Sequence, residues 1–578
     1  MKNSFKKRGQ KFLRKFSHVT NRASEEGKEH IKENLVERIS HIENIRLLIF
    51  EWGLLVFALI MLAVTQAIWF SDSYSVNSFG AGGTYTEATV GDVSSLNPLF
   101  ATTSSEKTLS RLMFATIAMV DYSGHPGLGL AKSISPSENG KVWTVKLRED
   151  LKWSDGAPLT NEDVLFTTDL IKNSAVSTVY DANLANVKIT ENEDGGIVFT
   201  LPYAYADFVS VLNIPVVPKH KLEDSDPKNL IESSFSNAPV TSGAFSFNAL
   251  QTTSTTSEKV YYLSANPYYY KGENLLNSFA VHTYENKEAV INALNSGVVT
   301  ATAELTGADK EKVVAEQFME KDSSLNSGAY MFFNIKNPVV GDASVRKAIR
   351  QGIDLEKIRA VVPNNAPLNY PLLESQIKLS SYPEIPAQDF ESAKAKIAEV
   401  KGDGELKLEI ATINSGYLPA VTNVLAEELQ NLGFETNVSV YEENQDFVNN
   451  VVGKRTYDIL VYEIDLGAEP DLLPYYHSSQ ASSTGLNLSN YRNSLVDDLL
   501  LGARETLDET LRAKKYETFL RYWVDDVPAI GLYQVNLAYF YNRNVRTFGN
   551  DIRLVTPLDR FVDVNDWAVV RATKNKTP

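Results

Sequence analysis

One stretch of the chain is apolar almost without interruption. Residues 52–70 read WGLLVFALIMLAVTQAIWF, with only Thr65 and Gln66 clearly polar and with aromatic residues at both ends. About 20 apolar residues in a helix cross the hydrocarbon core of a bilayer, and aromatic rings settle at its two boundaries. The pattern therefore predicts an uncleaved transmembrane anchor at 47–70. A cleaved signal peptide and a buried helix of a soluble protein are the alternatives.

The charge that precedes this stretch predicts its orientation. Residues 1–46 contain twelve Lys/Arg and six Asp/Glu, a net charge of +6. Positively charged flanks stay on the cytoplasmic side of a membrane. We therefore expect a single-pass protein of the cytoplasmic membrane, with a cytoplasmic basic segment at 1–46, a short tether at 71–82 and the remaining residues outside.

Beyond the tether, alternation of apolar and polar residues predicts strands and helices. In Val142–Asn173, Trp143, Val145 and Leu147 alternate with polar residues as on a strand with one buried face. Thr160 then stands three residues before Asp163, the spacing of a helix-capping box. A strand followed by a capped helix is expected here.

Two later blocks repeat this arrangement. In 330–358, a strand and an Asn-Pro turn lead to a helix that should bury Val345, Ile349 and Ile353 and leave Arg346, Lys347 and Arg350 outside. In 406–462, a strand, a helix that stops at Gly433 and two further strands predict a βαβ unit. These blocks indicate an α/β protein.

Composition narrows the functional classes. The full chain has a net charge of −16, so removal of the amino-terminal +6 leaves about −22 on the outer part. Such a charge opposes nucleic-acid binding. The chain has no cysteine, which removes a lipid-modified cysteine, disulfides and thiolate zinc sites. About five hundred outer residues exceed one hydrophobic core, so two or three domains are expected.

The blocks WTVKLREDLKWSDGAPLTNEDVLFT and FNIKNPVVGDASVRKAIRQGIDLEKI resemble, in order and spacing, the extracellular solute-binding proteins of family 5. These proteins serve peptide and nickel importers of the ATP-binding-cassette (ABC) class. The resemblance implies a two-lobed, periplasmic-binding-protein-like α/β clamp with an extra inserted domain (type II, cluster C). By analogy, the first lobe is 83–122, 235–327 and 541–575, the inserted domain is 123–234, and the second lobe is 328–540.

The resemblance also implies where a ligand binds. Asp465 matches an aspartate that receives the α-ammonium group of a peptide in peptide-binding members, although Tyr462 stands where tryptophan is common. A loop aspartate that caps a helix or faces water is the alternative for Asp465, and Asp471 is the second candidate. Asn97 and Gly243 lie in loops that match the family's cleft, where turn formation is the alternative role.

Catalytic motifs are absent from the sequence, and the four histidines beyond the apolar stretch are widely scattered. We therefore expect no enzyme activity, no cofactor and no bound metal. The expected function is capture of short peptides for an ABC permease and its ATPases. Receptors for nickel chelates, haem or sugars, and a signalling or scaffold receptor with the same clamp, are the alternatives.

Overall fold

The computed structural model describes residues 46–253, 258–314, 316–364, 366–442 and 444–575. The basic segment that we expected at 1–46 therefore lies, up to residue 45, outside the described residues. The chain divides into two compact units, residues 1–78 with 572–578, and residues 79–571.

The first unit contains one long helix, Arg46–Tyr74, whose side chains are described from Phe50 to Gln66. A strand, Ser75–Gly80, follows within the stretch where we expected a tether. In the described part of the chain, no helix is long and apolar enough to cross a membrane. The structure thus contains the helix expected at 47–70 but does not support the prediction that it spans a bilayer.

The helices are numbered in chain order. They are α1 Arg46–Tyr74, α2 Ser104–Met113, α3 Asn161–Lys172, α4 Asp181–Leu184, α5 Phe208–Val211, α6 Lys219–Leu222, α7 Lys287–Asn295, α8 Ala343–Gly352, α9 Leu355–Arg359, α10 Phe390–Lys401, α11 Leu418–Leu432, α12 Leu473–Tyr476, α13 Ser494–Glu505 and α14 Glu509–Asp526. Short 3₁₀ segments include Pro98–Phe100, Gly307–Lys312 and Pro557–Asp566, and a π-helical turn spans Phe447–Val452.

The strands are numbered in the same way. They are β1 Ser75–Gly80, β2 Thr84–Val90, β3 Ala118–Val120, β4 Pro126–Leu128, β5 Ala131–Pro136, β6 Val142–Leu147, β7 Lys188–Glu191, β8 Ile197–Thr200, β9 Phe245–Thr252, β10 Lys259–Ala265, β11 Ser278–Tyr284, β12 Ala301–Thr302, β13 Phe318–Phe333, β14 Lys407–Ile413, β15 Glu435–Tyr441, β16 Ile459–Asp465, β17 Ala529–Asn542, β18 Val545–Arg546 and β19 Ala568–Asn575.

A ten-stranded sheet runs through the second unit in the order β15-β14-β16-β13-β17-β12-β2-β11-β10-β9. Its two longest strands, β13 and β17, pair antiparallel from Phe318 opposite Asn542 to Phe332 opposite Ala529. Their register shifts between Ser324 and Gly328, where the regular ladder is interrupted. A separate four-stranded antiparallel sheet has the order β5-β6-β8-β7.

The β13–β17 pair contributes to two large hydrophobic cores, with Leu325 and Leu537 in one and Ala329 and Tyr533 in the other. We call the first lobe the part around the core that gathers buried residues from Tyr85 to Leu325 and from Leu537 to Trp567. The second lobe surrounds the core formed between Ala329 and Tyr533. The four-stranded sheet contributes Trp143 and Phe199 to the first-lobe core, so it shares that core. The expected boundaries at 123 and 234 remain a prediction.

The three sequence blocks fold as expected. Trp143 and Val145 are buried on β6, and Thr160 and Asp163 form a capping box at the start of α3. Helix α11 ends at Gly433, whose φ of 111° places it in the left-handed region that favours glycine. Strands β15, β14 and β16 then run parallel. The α/β class is confirmed.

One prediction within these blocks was wrong. Arg346 and Arg350 on α8 are 4% and 9% exposed rather than outside. The Arg346 guanidinium donates to the carbonyl oxygen of Asp526, the last residue of helix α14, and to those of Val340 and Gly341, just before α8. A long arginine side chain can thus leave the polar face of a helix and satisfy buried carbonyl groups.

Candidate ligand-binding cleft

The two lobes and the strand pair β13–β17 enclose a cavity of about 210 Å³. The first lobe contributes Thr306 and Lys310, and the second lobe contributes Tyr417 and Glu463. Residues of β13 and β17, with Pro363, Asn364, Ser415 and Gly416, form the rest of the wall. We call this space the cleft cavity. Its position allows a ligand to contact both lobes at once.

Carboxylates dominate the charge of the cleft cavity. Glu320 and Asp322 on β13 and Glu463 on β16 face a single lining cation, Lys310, whose Nζ lies 2.5 Å from Glu320. Burial, with the Glu320 charge also acting, raises the pKa of Asp322, and Asn364 Nδ2 donates to its carboxylate at 3.2 Å. The lining therefore carries more negative than positive charge and favours a cationic ligand group.

Asp465 lies at the end of β16 and is exposed. Ser327 stands directly opposite it on β13, and its Oγ donates to Asp465 Oδ1 at 2.6 Å. Because side chains alternate along a strand, Asp465 and Glu463 project from the same face of the sheet. The carboxylate is thus oriented by a neighbour while it stays accessible.

Tyr462 is on the other face of β16. Its ring is half-buried and lies 6.0 Å from the ring of Phe447, centroid to centroid. Strand alternation separates it from Asp465, three residues later. The structure therefore does not bring these two predicted site residues together.

Asp471 is engaged in contacts between the lobes. Arg504 Nε, on α13 of the second lobe, lies 3.1 Å from its Oδ2, and the hydroxyl of Tyr205 in the first lobe donates to the same oxygen at 3.1 Å. The Arg504 guanidinium also lies 4.9 Å from the centre of the Tyr205 ring. The negative charge of Asp471 is already balanced without a ligand.

Asn97 and Gly243 are in tight turns of the first lobe. Asn97 is 1% exposed, and its Oδ1 accepts from Leu99 N at 3.2 Å at the start of a 3₁₀ turn. A Cβ on Gly243 would lie 2.5 Å from Leu112 O, so the two backbones approach more closely than any side chain permits. The cleft cavity is lined by neither residue, nor by Asp465, Tyr462 or Asp471.

Sequence reasoning missed Lys310, Glu320, Asp322 and Glu463. The first three lie about 140–150 positions before Glu463. Strand pairing brings Glu320 and Asp322 to the sheet that holds Glu463, and Lys310 joins them through its ion pair with Glu320. No spacing rule links residues so far apart. Alternation on β16 does place Glu463 on the same face as Asp465, which was a usable signal.

Among the residues that the structure describes, no group of three His, Cys, Asp or Glu side chains is placed to hold a metal ion.

The cleft between two lobes, crossed by a pair of long strands, defines the class of protein: an α/β clamp of the periplasmic-binding-protein type. The sequence profile of the bacterial extracellular solute-binding proteins, family 5 (middle), matches residues 125–485. The chain belongs to this family.

Relatives and solved structures agree with this assignment. The oligopeptide-binding protein AppA of Bacillus subtilis is 25% identical over 482 residues, which are 79% of this chain and 87% of AppA. The structure of B. subtilis AppA in complex with a nonapeptide has a TM-score of 0.69 at 22% identity and covers 86% of this chain and 100% of that one. The ABC transporter substrate-binding protein CtaP of Listeria monocytogenes has a TM-score of 0.74 at 23% identity, with 85% and 100% covered.

Proposed function

We propose that the protein captures short peptides in the cleft between its lobes and delivers them to an ABC permease. Family membership supports the general role of a solute-binding protein. The name of its relative AppA, an oligopeptide-binding protein, and the nonapeptide in the AppA structure support peptides as the ligand class. The proposal assigns the chain no catalysed reaction, and ATP hydrolysis would belong to separate subunits.

The observation that carries the peptide proposal is the environment of Asp465. Its carboxylate is exposed and accepts a hydrogen bond from Ser327. Glu463 projects from the same face of the sheet, two positions earlier on β16. Two neighbouring carboxylates suit the α-ammonium group of a peptide. Such charge-assisted hydrogen bonds are short and strong. Backbone groups at the end of β16 could pair with an extended ligand, which gives affinity independent of the ligand's sequence.

Closure of the clamp would occur about β13 and β17. These strands connect the two cores, and their ladder is interrupted between Ser324 and Gly328. Hinges are typically a few residues that absorb a change in backbone angles. We propose that the lobes rotate about this interruption and that the permease recognises the closed form.

Membrane attachment is a separate part of the proposal. Helix α1 exposes large apolar side chains over its described length, among them Phe50, Trp52, Leu54 and Phe57, each 57–69% exposed. A row of exposed apolar groups of this kind needs an apolar partner. We propose that α1 attaches the protein to the cytoplasmic membrane. The clamp then lies on the outer side of that membrane and binds ligand there. Extraction at alkaline pH tests this: release of the full chain without detergent would contradict attachment.

Native mass spectrometry of the full-length protein purified from cells tests the peptide proposal. We expect a heterogeneous set of co-purified masses that corresponds to short peptides. Calorimetry with di- to pentapeptides then measures affinity after the ligand has been removed by partial unfolding and refolding. A protein that refolds, as judged by circular dichroism, and binds no peptide would contradict the proposal.

A further inference from the structure

A second cavity, of about 430 Å³, lies in the first lobe beside helix α2. Its walls come from α2, from two separate segments around Tyr180 and around Asn213, and from the turn around Asp559. No residue of the second lobe lines it, so it is distinct from the cleft cavity. Its volume falls in the range of small-molecule sites, about 300–1,000 Å³.

Arg111 on α2 is the unusual group in this cavity. Its side chain is only 11% exposed, and its Nη2 is buried with no hydrogen-bond partner among the residues that the structure describes. Asp559 Oδ1 lies 3.6 Å from Nη2, beyond hydrogen-bond distance. Nη1 lies 3.5 Å from Asn213 Oδ1, a contact at the limit of that distance.

Asp559 is committed to another contact. Its Oδ2 accepts from the backbone N of Thr556 at 2.8 Å and from the Thr556 hydroxyl at 3.0 Å, which caps the turn that follows. The Asp559 carboxylate therefore attracts the Arg111 guanidinium electrostatically but accepts no hydrogen bond from its Nη2. An unmade hydrogen bond of a buried guanidinium is costly, and the planar fork of arginine fits an oxyanion with two oxygens.

The rest of the lining suits an anion with an apolar body. Lys107 stands one helical turn before Arg111 and is exposed at the rim, so two cations face the single carboxylate of Asp559. Burial raises the pKa of Tyr180 to about 12, and the nearby Arg111 charge opposes that rise. Phe114, Pro215 and Leu558 supply apolar wall. This lining contrasts with the net charge of −16 of the whole chain.

We propose that this cavity binds a molecule in which a carboxylate or similar oxyanion is joined to an apolar body, with Arg111 as the anchor. The inference does not depend on peptide capture in the cleft, since the two cavities lie apart. The carboxylate has two possible sources with the same chemistry, a free organic acid and the carboxyl terminus of a peptide. The experiment below separates them.

Calorimetry of the full-length protein with hexanoate and with the neutral isostere hexanamide tests the inference. Hexanoate should bind, and hexanamide should bind at least about tenfold more weakly because it cannot form charge-assisted hydrogen bonds. Arg111→Lys keeps the charge but loses the fork, and should weaken hexanoate binding about tenfold or more. Lys107→Met should weaken it about two- to fivefold.

Lys146→Met is the matched control, because Lys146 is exposed on β6 and does not line the cavity. It should leave hexanoate binding unchanged. If Arg111→Lys fails to fold, hexanoate binding is compared in Lys107→Met and Asn213→Leu instead. Both of these positions are exposed, so the variants should fold. Equal binding of hexanoate and hexanamide, no binding of hexanoate up to about 10 mM, or equal hexanoate binding by all variants would overturn the inference.

Peptides with a free or an amidated carboxyl terminus identify the source of the carboxylate. The affinities of the wild-type protein for the free-acid and the amidated peptide are compared first. If the free-acid peptide binds more tightly, and Arg111→Lys, or Lys107→Met in its place, removes that difference in affinity, the cavity binds the carboxyl terminus of the peptide. If the variant weakens hexanoate binding while peptide binding stays the same, the cavity takes a free organic acid. Either result supports the oxyanion site.

Discussion

The guanidinium of Arg504 forms an ion pair with the carboxylate of Asp471, and its Nε donates to Oδ2 at 3.1 Å. Tyr205 of the first lobe donates to the same oxygen, and Ala206 N donates to Arg504 O at 2.8 Å. This contact joins the first lobe to helix α13 of the second, and we expect it to help hold the proposed clamp closed. Asp471 is therefore paired across the lobes without any ligand contact.

Replacement of Arg504 by Met should favour the open clamp. The change leaves Asp471 partly buried without its partner, which costs about 1–3 kcal/mol. Small-angle scattering should show a larger radius of gyration, and peptide affinity should fall by a factor of ten or more. Arg521→Met, at an exposed position on α14, is the control and should change neither quantity. If Arg504→Met changes neither the radius of gyration nor the peptide affinity, the Arg504–Asp471 contact does not favour the closed clamp.

The stability of the fold should depend on pH through Asp207, on which the charge of Asp471 acts. Burial, with the charges of Glu469 and Asp471 also acting, raises the pKa of Asp207 to about 8, while Arg512 and the Ser210 hydroxyl oppose the rise. A carboxyl group whose pKa is raised on folding stabilises the folded state fully below its unfolded pKa. That stability is lost as pH rises from about 4 to about 8.

Urea unfolding across this pH range measures the effect. We expect the free energy of unfolding to fall by up to about 1 kcal/mol per pH unit from this group. Asp207→Asn, which stays neutral, should flatten that part of the profile. His125 Nδ1 lies 3.4 Å from Glu469, whose charge acts on Asp207, so His125→Gln is measured in parallel. Identical profiles for wild type and Asp207→Asn would refute the assignment.

Gly243→Ala should reduce stability through backbone crowding. The added Cβ would lie 2.5 Å from Leu112 O and from Met113 C, and main-chain atoms cannot move aside cheaply. We expect a loss of about 1–3 kcal/mol in urea unfolding. Gly404→Ala, whose Cβ would lie 3.3 Å from Lys401 O, should cost much less. If Gly243→Ala is as stable as wild type but binds peptide more weakly, Gly243 has a ligand role instead.

The acidic lining of the cleft cavity predicts a preference for basic ligands. Asp322→Asn removes one of its three carboxylates, so a peptide with lysine should bind about two- to fivefold more weakly to the variant. The norleucine analogue, which has no charge there, should bind both proteins equally. Added salt should weaken binding of the lysine peptide more than binding of the norleucine analogue, because only the lysine side chain interacts with the acidic lining. Equal losses for both peptides would show that Asp322 acts through structure rather than charge.

Local patterns in the sequence predicted the elements well. The capping box at Thr160 and Asp163, the glycine stop at Gly433 and the buried face of α8 all depend on neighbours within a few residues. Arg346 was placed wrongly because its partners are backbone carbonyls, one of them 180 positions away. Hydrophobic periodicity contains no information about such distant carbonyl groups.

The site was less predictable than the fold. Asp465 came from the family resemblance, and the accessible position of its carboxylate agrees with that prediction without testing it. The pairing of Asp471 with Arg504 joins residues on separate elements, and the cluster of Glu320, Asp322 and Glu463 depends on strand register. A sequence read by itself gives neither the register nor the angle between lobes.

The most direct test of the account is a calorimetric comparison of Asp465→Asn with wild type, using a tripeptide with a free amino terminus and its N-acetyl analogue. Asn keeps the shape of the side chain and leaves Ser327 as a partner, so folding should be preserved. We expect the variant to lose about 1.5–3 kcal/mol of binding free energy for the free amine, the scale of a charged hydrogen bond. The N-acetyl peptide should bind both proteins with the same weaker affinity. Equal affinity of both proteins for the free-amine peptide would contradict the assignment of Asp465, and no binding by either protein would contradict peptide capture itself.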